Sequence, residues 1–120
     1  MNETADRSEA ASTPQPTDTL VDVESAGHLT ALVGGHQVVL VEFYADWCTP
    51  CRVLEPTVER LAAETDATVA RVDIGELRGL AHEYEVQGVP TFLLFVDGER
   101  TERVVGLREE STLRNLVTTA

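Results

Sequence analysis

Two hydrophobic patterns follow each other along this chain: a period near two residues, typical of strands, and a period near 3.6, typical of helices. Residues 38–45 are almost entirely apolar or aromatic, as expected of a central strand covered on both faces. The predicted elements, in order, are a strand at 20–23, a helix at 25–33, a strand at 38–45, a helix at 48–65, a strand at 68–74, a helix at 76–84, strands at 91–96 and 100–105, and a helix at 109–117. We therefore expect an α/β domain in which a parallel βαβ half is followed by an antiparallel hairpin and a final helix.

Glycine and proline residues set the limits of several of these elements. Gly34-Gly35 ends the first helix, and Asp97-Gly98 is a strong hairpin turn between the last two strands. Pro56 should kink the helix at 48–65, because proline removes a backbone donor and clashes with the preceding turn. The side of that helix predicted to face the core carries Val53, Leu54, Val58, Leu61 and Ala62.

Residues 1–19 differ in composition from the rest, being rich in Thr, Ser, Pro and acidic side chains and poor in large apolar ones. Such a segment buries too little surface to offset the entropy of ordering, so we expect a disordered acidic leader at 1–19 and one domain at 20–120. The leader lacks the basic and apolar pattern of a signal peptide, and no apolar run approaches the roughly 20 residues of a membrane span. We therefore expect a cytoplasmic protein.

The 120-residue chain has 21 acidic and 9 basic residues, all nine of them arginine, for a net charge of −12. This charge should repel nucleic acid and anionic membranes, so we expect neither as a partner. It also repels itself, and molar salt relieves that repulsion by shortening the Debye length to about 3 Å. We favour an extreme halophile with a salt-filled cytoplasm as the source. The alternative is a GC-rich genome that encodes an ordinary acidic protein.

The two cysteines of the chain, Cys48 and Cys51, lie where the central strand gives way to a helix. The first sulfur should therefore lie among the unsatisfied N–H groups at the positive end of the helix, which favours the reactive thiolate. Residues three apart share a helix face, close enough to form a disulfide with small adjustment. The predicted chemistry is dithiol–disulfide exchange.

Two other interpretations of the cysteine pair are a structural zinc site and an inert pair. Structural zinc needs four ligands, usually in two spaced pairs. The remaining candidate ligands of the usual kind, His28, His36 and His82, are not paired with one another at such a spacing. We therefore expect no metal.

Glu42 interrupts a strand that is otherwise suited to the interior. Leu40 and Tyr44, which share its face, are large and mostly apolar. Burial without a cationic partner raises the pKa of a carboxyl group, which suits a proton acceptor working near neutrality. The alternative is a structural acid that the strand tolerates.

Several separated segments together resemble the thioredoxin family, and the resemblance covers about residues 20–120. The matching segments are Val41-Glu42-Phe43-Tyr44-Ala45-Asp46-Trp47-Cys48-Thr49-Pro50-Cys51, Pro56, Gly88-Val89-Pro90-Thr91, Phe95-Val96-Asp97-Gly98-Glu99 and Gly106. The resemblance implies the thioredoxin fold, a central mixed β-sheet flanked by helices on both faces.

The resemblance also implies roles for particular residues. Cys48 resembles the nucleophile, Cys51 the buried resolving thiol, and Pro90 the cis-proline that faces the two sulfurs. Trp47 resembles the indole that shields the edge of the active site, although packing in the core is an alternative for this residue. The positions implied to contact the target are Trp47, Thr49, Pro50, Val89 and Pro90.

Three positions are distinctive within the family pattern. Thr49 stands where glycine is commonest, and Glu42 stands where aspartate is more familiar. Arg71 occupies the place where the family often has a lysine near the buried acid, but it could equally be a surface charge on its strand.

The predicted function is that of a thioredoxin-like protein-disulfide reductase that uses the Cys48/Cys51 pair and no separate cofactor. Protein disulfides are the expected substrates, a thioredoxin reductase is the expected electron donor, and we expect a monomer. Two alternatives are a disulfide oxidase or isomerase of the same fold and a non-catalytic binding module of that fold.

Overall fold

A five-stranded sheet organises residues 19–120, the part of the chain that the computed structural model describes. The strands are β1 (Leu20–Asp22), β2 (Val38–Tyr44), β3 (Thr68–Asp73), β4 (Thr91–Val96) and β5 (Glu99–Val105). The helices are α1 (Ala26–Gly35), α2 (Thr49–Val53), α3 (Glu55–Glu64), α4 (Arg78–Glu83) and α5 (Glu110–Thr118). The predicted leader at 1–19 lies outside the described residues, apart from Thr19, whose hydroxyl donates to the carbonyl of Ala62 (2.6 Å).

The strands run in the order β1-β3-β2-β4-β5, so β2 is central. β1 and β2 are parallel to β3, whereas β4 is antiparallel to both β2 and β5. This arrangement confirms the predicted parallel half and antiparallel hairpin. The pairing places Glu42 of β2 opposite Arg71 of β3 on one side and opposite Phe92 of β4 on the other.

Apolar side chains cover the sheet on both faces, which confirms the predicted mixed sheet between helix layers. One face packs against α3 and α5 through Leu40, Leu54, Val58, Leu61, Ala62, Ala67, Val69, Phe92, Leu94, Leu113 and Val117. The other packs against α1 and α4 through Val23, Leu29, Val39, Val41, Phe43, Ala70, Val72, Leu80, Leu93 and Phe95. Glu42 alternates with the residues of the second set, so it shares the face of Leu40, toward α3 and α5.

The predicted helix at 48–65 is two helices, α2 and α3, that meet at Leu54. Pro56 lies in the first turn of α3, where its missing N–H costs no hydrogen bond. The prediction that Val53 faces the core is wrong, because its side chain is largely exposed. A single helical period does not continue across the break, so α2 and α3 present different faces to the sheet.

The β4–β5 hairpin turns at Asp97 and Gly98, which have φ angles of 52° and 85°. Positive φ at both central residues is what a tight hairpin turn with the correct twist requires, and it explains the Asp-Gly pair. Within residues 19–120, no helix is long and apolar enough to cross a bilayer.

Candidate active site

A disulfide joins Cys48 and Cys51 at the start of α2, with their Cα atoms 5.3 Å apart. Cys48 is the N-cap residue of this helix, and its Sγ accepts a hydrogen bond from the backbone N–H of Cys51 (3.2 Å). An N-cap side chain normally satisfies one of the orphan N–H groups of the first turn, and here a sulfur does so. The first sulfur therefore lies where the spacing of the motif predicts it.

Both cysteines are buried and pack in a small cluster with Ala45. Half-buried Tyr44, Ile74 and Val89 pack against this cluster. Thr49 and Pro50, between the cysteines, are exposed. The disulfide is therefore enclosed by protein on its inner side, while the turn that carries it faces solvent.

The loop before β4 packs Val89 against the cysteine cluster, and Pro90 follows it directly in the chain. The Val89–Pro90 peptide bond is cis, as the family resemblance implies. Two hydrogen bonds hold the loop: the Thr91 hydroxyl donates to the Gly88 carbonyl (2.6 Å), and the Gly106 N–H donates to the Pro90 carbonyl (2.8 Å). The end of β5 is thereby tied to the loop that lies beside the disulfide.

Trp47 directly precedes Cys48, and 74% of its surface is exposed. Packing in the core, one of the two interpretations of this residue, is therefore wrong, whereas its role as a cover for the thiols stays a prediction. Arg52 donates from its guanidinium to the carbonyl of Asp46 and so ties α2 back to the turn that carries Trp47. Nothing in the spacing of the motif indicated this contact.

Glu42 is fully buried in the central strand (0% exposed), on the face toward α3 and α5. Of the two interpretations of Arg71, the structure favours a partner for the buried acid, because Arg71 Nε donates to Oε1 of Glu42 (3.1 Å). Burial raises the pKa of Glu42 above its ordinary value, and the nearby Arg71 charge and hydrogen bond only partly oppose that rise. The Glu42 carboxyl group therefore holds its proton to a higher pH than an exposed glutamate does.

Arg71 is a partner of the buried acid and not a free surface charge, since its side chain is only 15% exposed. Its guanidinium lies over the ring of Tyr44, 4.0 Å from the centroid, and one terminal nitrogen is 3.9 Å from Oε2 of Glu55. Sequence reasoning missed the contact between Glu55 and Arg71, because it depends on the break between α2 and α3. Tyr44 was detectable, because residues two apart in a strand share a face.

No group of three or more His, Cys, Asp or Glu side chains within residues 19–120 is placed to hold a metal ion. The two sulfurs, which a structural zinc ion would need as ligands, are bonded to each other instead.

The sequence model of one protein family, thioredoxin, matches residues 19–119. The chain belongs to the thioredoxin family. A thioredoxin from Chlamydia pneumoniae is 47% identical over 81 residues, which are 67% of this chain and 79% of the relative. A bifunctional thioredoxin reductase/thioredoxin from Mycobacterium leprae is 31% identical over 113 residues, 92% of this chain and 25% of that protein.

Among solved structures, a single-substitution mutant of thioredoxin from Halobacterium salinarum NRC-1 superimposes with a TM-score of 0.83 at 48% identity, covering 89% of this chain and 94% of that one. This similarity and the sequence match confirm the thioredoxin fold. With the Cys48–Cys51 pair at disulfide distance, they identify this thioredoxin-family protein as a dithiol–disulfide oxidoreductase that reduces protein disulfides.

Proposed function

We propose that this thioredoxin-family protein reduces protein disulfides in the cytoplasm, with Cys48 as the nucleophile and Cys51 as the resolving thiol. The observation that carries the assignment is the hydrogen bond from the Cys51 N–H to Sγ of Cys48 (3.2 Å). A backbone donor directed at this sulfur stabilises its thiolate in the reduced protein. Cys51 lies one turn further along and has no comparable position at a helix start.

The structure holds the oxidised state, and the reaction begins from the dithiol. The Cys48 thiolate attacks one sulfur of the target disulfide, which forms a mixed disulfide and releases the other target sulfur as a thiolate that takes up a proton. Cys51 then loses its proton and attacks Sγ of Cys48. The mixed disulfide breaks, the second target thiolate leaves and is protonated, and two electrons have passed from the protein to the target.

Glu42 is our candidate for accepting the Cys51 proton. Its complete burial and raised pKa support this role, since a general base is most effective when its pKa lies near the working pH. Arg71 would act on the same step through its hydrogen bond to Glu42.

The target would bind at the exposed rim of the disulfide. Trp47, Thr49 and Pro50 are exposed beside it, and Val89 packs against it from the loop before β4, with Pro90 next in the chain. Leu107 is an exposed apolar residue next to Gly106, whose N–H donates to Pro90, so we add it to the predicted target-binding positions. An extended target chain could contact apolar side chains on both sides of its disulfide here.

Electrons would come from a thioredoxin reductase, and the protein would act as a monomer. The relative from Mycobacterium leprae, named as both reductase and thioredoxin, supports such a donor. Cytoplasmic location is supported by the reductive chemistry of the family and by the use of both cysteines in one redox motif.

Trapping experiments test the assignment of the two thiols. We expect Cys51→Ser to accumulate mixed disulfides with oxidised insulin or lysate proteins, because the second attack is lost, and Cys48→Ser to trap none. Serine is the matched replacement in both, and each variant should fail to reduce insulin. Faster alkylation of Cys51 than of Cys48 in the reduced protein at pH 7 would contradict the assignment.

A further inference from the structure

Arg71 and Glu42 share one hydrogen bond, although a guanidinium and a carboxylate can form two. A guanidinium can bind a carboxylate through two parallel N–H···O bonds, which is the stronger arrangement. Here only Nε donates, to Oε1 of Glu42 (3.1 Å). Oε2 of Glu42 and one terminal nitrogen of Arg71 are buried and have no hydrogen-bond partner among the described residues.

Glu55 supplies the competing attraction on Arg71. Its Oε2 is 3.9 Å from that same terminal nitrogen, and its side chain is half exposed at the surface. Glu55 is the first residue of α3, so the break between α2 and α3 determines where its carboxylate lies. Below the guanidinium, the ring of Tyr44 at 4.0 Å restricts the plane in which Arg71 can turn.

We propose that Glu55 is a positioning residue for the redox reaction: it attracts the buried terminal nitrogen of Arg71 and so limits this guanidinium to a single hydrogen bond with Glu42. One oxygen of Glu42 is thereby left without a donor. This inference deepens the proposed role of Glu42 as proton acceptor and rests on it for its functional consequence.

The charged groups around Glu42 determine what removal of Glu55 should do. Arg71 faces Glu42 from β3 and Glu55 faces it from α3, while the neighbour on β4 is the apolar Phe92. Reduction of the disulfide adds two more titratable groups, the thiols of Cys48 and Cys51. The Glu55→Gln substitution removes the acidic charge and frees Arg71 to bind both oxygens of Glu42. Both effects favour the ionised form of Glu42.

The test follows the ionisation of Glu42 directly, by ¹³C NMR of side-chain carboxyl carbons in the reduced protein. The Glu42 resonance is identified by its loss in Glu42→Gln. We expect Glu55→Gln to lower the titration midpoint of Glu42 by about half a pH unit or more, a modest shift because Glu55 is partly screened by solvent. The acidic limb of the pH profile for release of the mixed disulfide should move in the same direction.

Glu59→Gln is the matched control. Glu59 is exposed one turn along the same helix and is not among the carboxylates within 4 Å of Arg71 in the described part of the chain. The Glu59→Gln substitution removes an equal charge without altering the contact between Glu55 and Arg71. A Glu42 midpoint in Glu55→Gln that equals the wild-type value, or moves no further than in Glu59→Gln, overturns the inference.

Failure of the proposed function has a different result. If Glu42→Gln releases the mixed disulfide with wild-type rate and pH dependence, Glu42 is not the proton acceptor. The NMR midpoints do not depend on that role, so they still decide whether Glu55 controls the Arg71–Glu42 contact.

Discussion

The two members of the buried ion pair have unequal surroundings, so we expect their removal to have opposite effects on stability. Glu42 is fully buried and has one oxygen without a donor among the described residues. Arg71 is partly exposed and would keep its contacts with Tyr44 and Glu55 if Glu42 were replaced. Glu42→Leu removes a buried charge, whereas Arg71→Met removes the cation that compensates it.

The magnitudes follow from which group is left without a partner. Glu42→Leu removes one charge-assisted hydrogen bond, which costs about 1.5–3 kcal/mol of stability. It also removes a desolvated carboxylate, and this removal offsets the cost. Replacing buried charge with apolar volume is often neutral or stabilising, so we expect the free energy of unfolding at pH 7 to stay level or rise by up to about 2 kcal/mol. Arg71→Met leaves the carboxylate of Glu42 uncompensated and should lower the free energy of unfolding by about 3 kcal/mol.

The effects should depend on pH in a direction set by the raised pKa of Glu42. Its ordinary value is 4.5, and its folded value is higher, so the stability it contributes is full below pH 4.5 and is lost as pH rises through the folded pKa. The advantage of Glu42→Leu over wild type should therefore grow as pH rises above 4.5. The deficit of Arg71→Met should shrink at low pH, where Glu42 is protonated.

Urea unfolding at constant KCl, followed by circular dichroism at pH 4.5 and pH 7, measures these free energies. Glu42→Gln serves as a control that removes the charge and keeps the shape. The double variant Glu42→Leu/Arg71→Met should resemble Glu42→Leu, because the uncompensated carboxylate is absent from both. If Glu42→Leu is destabilised by more than about 1 kcal/mol at pH 7 and Arg71→Met is neutral, the guanidinium is the dependent partner and the reasoning is wrong.

Two further predictions concern surface charge. With a net charge of −12, the melting temperature should climb as KCl is raised from about 0.1 M to the molar range, and a flat or falling melting temperature would contradict a halophilic source. Hydrogen bonds from Arg60 (2.6 Å) and Arg114 (2.7 Å) lower the pKa of Glu110 to about 2, so its contribution to stability is present above pH 4.5 and is lost as pH falls toward 2. The stability gap between wild type and Glu110→Gln should accordingly close over that interval in acid-unfolding curves, and a gap that persists at pH 2 would point to packing and not charge.

Local rules were sufficient for most of the fold and for the position of the thiols. The apolar run of β2, the Asp97-Gly98 turn and the cysteine spacing each depend on neighbours within a few residues, which a single sequence records. The exposure of Val53 was not predictable in this way, because it depends on the point at which α2 stops. The apolar pattern of the sequence continues at a helical spacing across Leu54, whereas the structure ends one helix there and begins another.

The environment of Glu42 required tertiary information. Its pairing with Arg71 depends on the register between β2 and β3, two strands separated by 23 residues of chain that include α2 and α3. The approach of Glu55 depends in turn on where α3 begins. A sequence pattern could indicate that Glu42 is buried, but not which charges surround it.

Trp47 is the one tryptophan of the chain, and it is already 74% exposed in the folded protein. Its indole therefore meets nearly the same solvent before and after denaturation, and its emission carries little information about loss of the tertiary structure. Trp47 directly precedes Cys48 in the sequence, however, so we expect its emission to respond to changes at the redox pair. The intrinsic fluorescence of this protein should thus report oxidation, reduction and target arrival at a single place on the molecule.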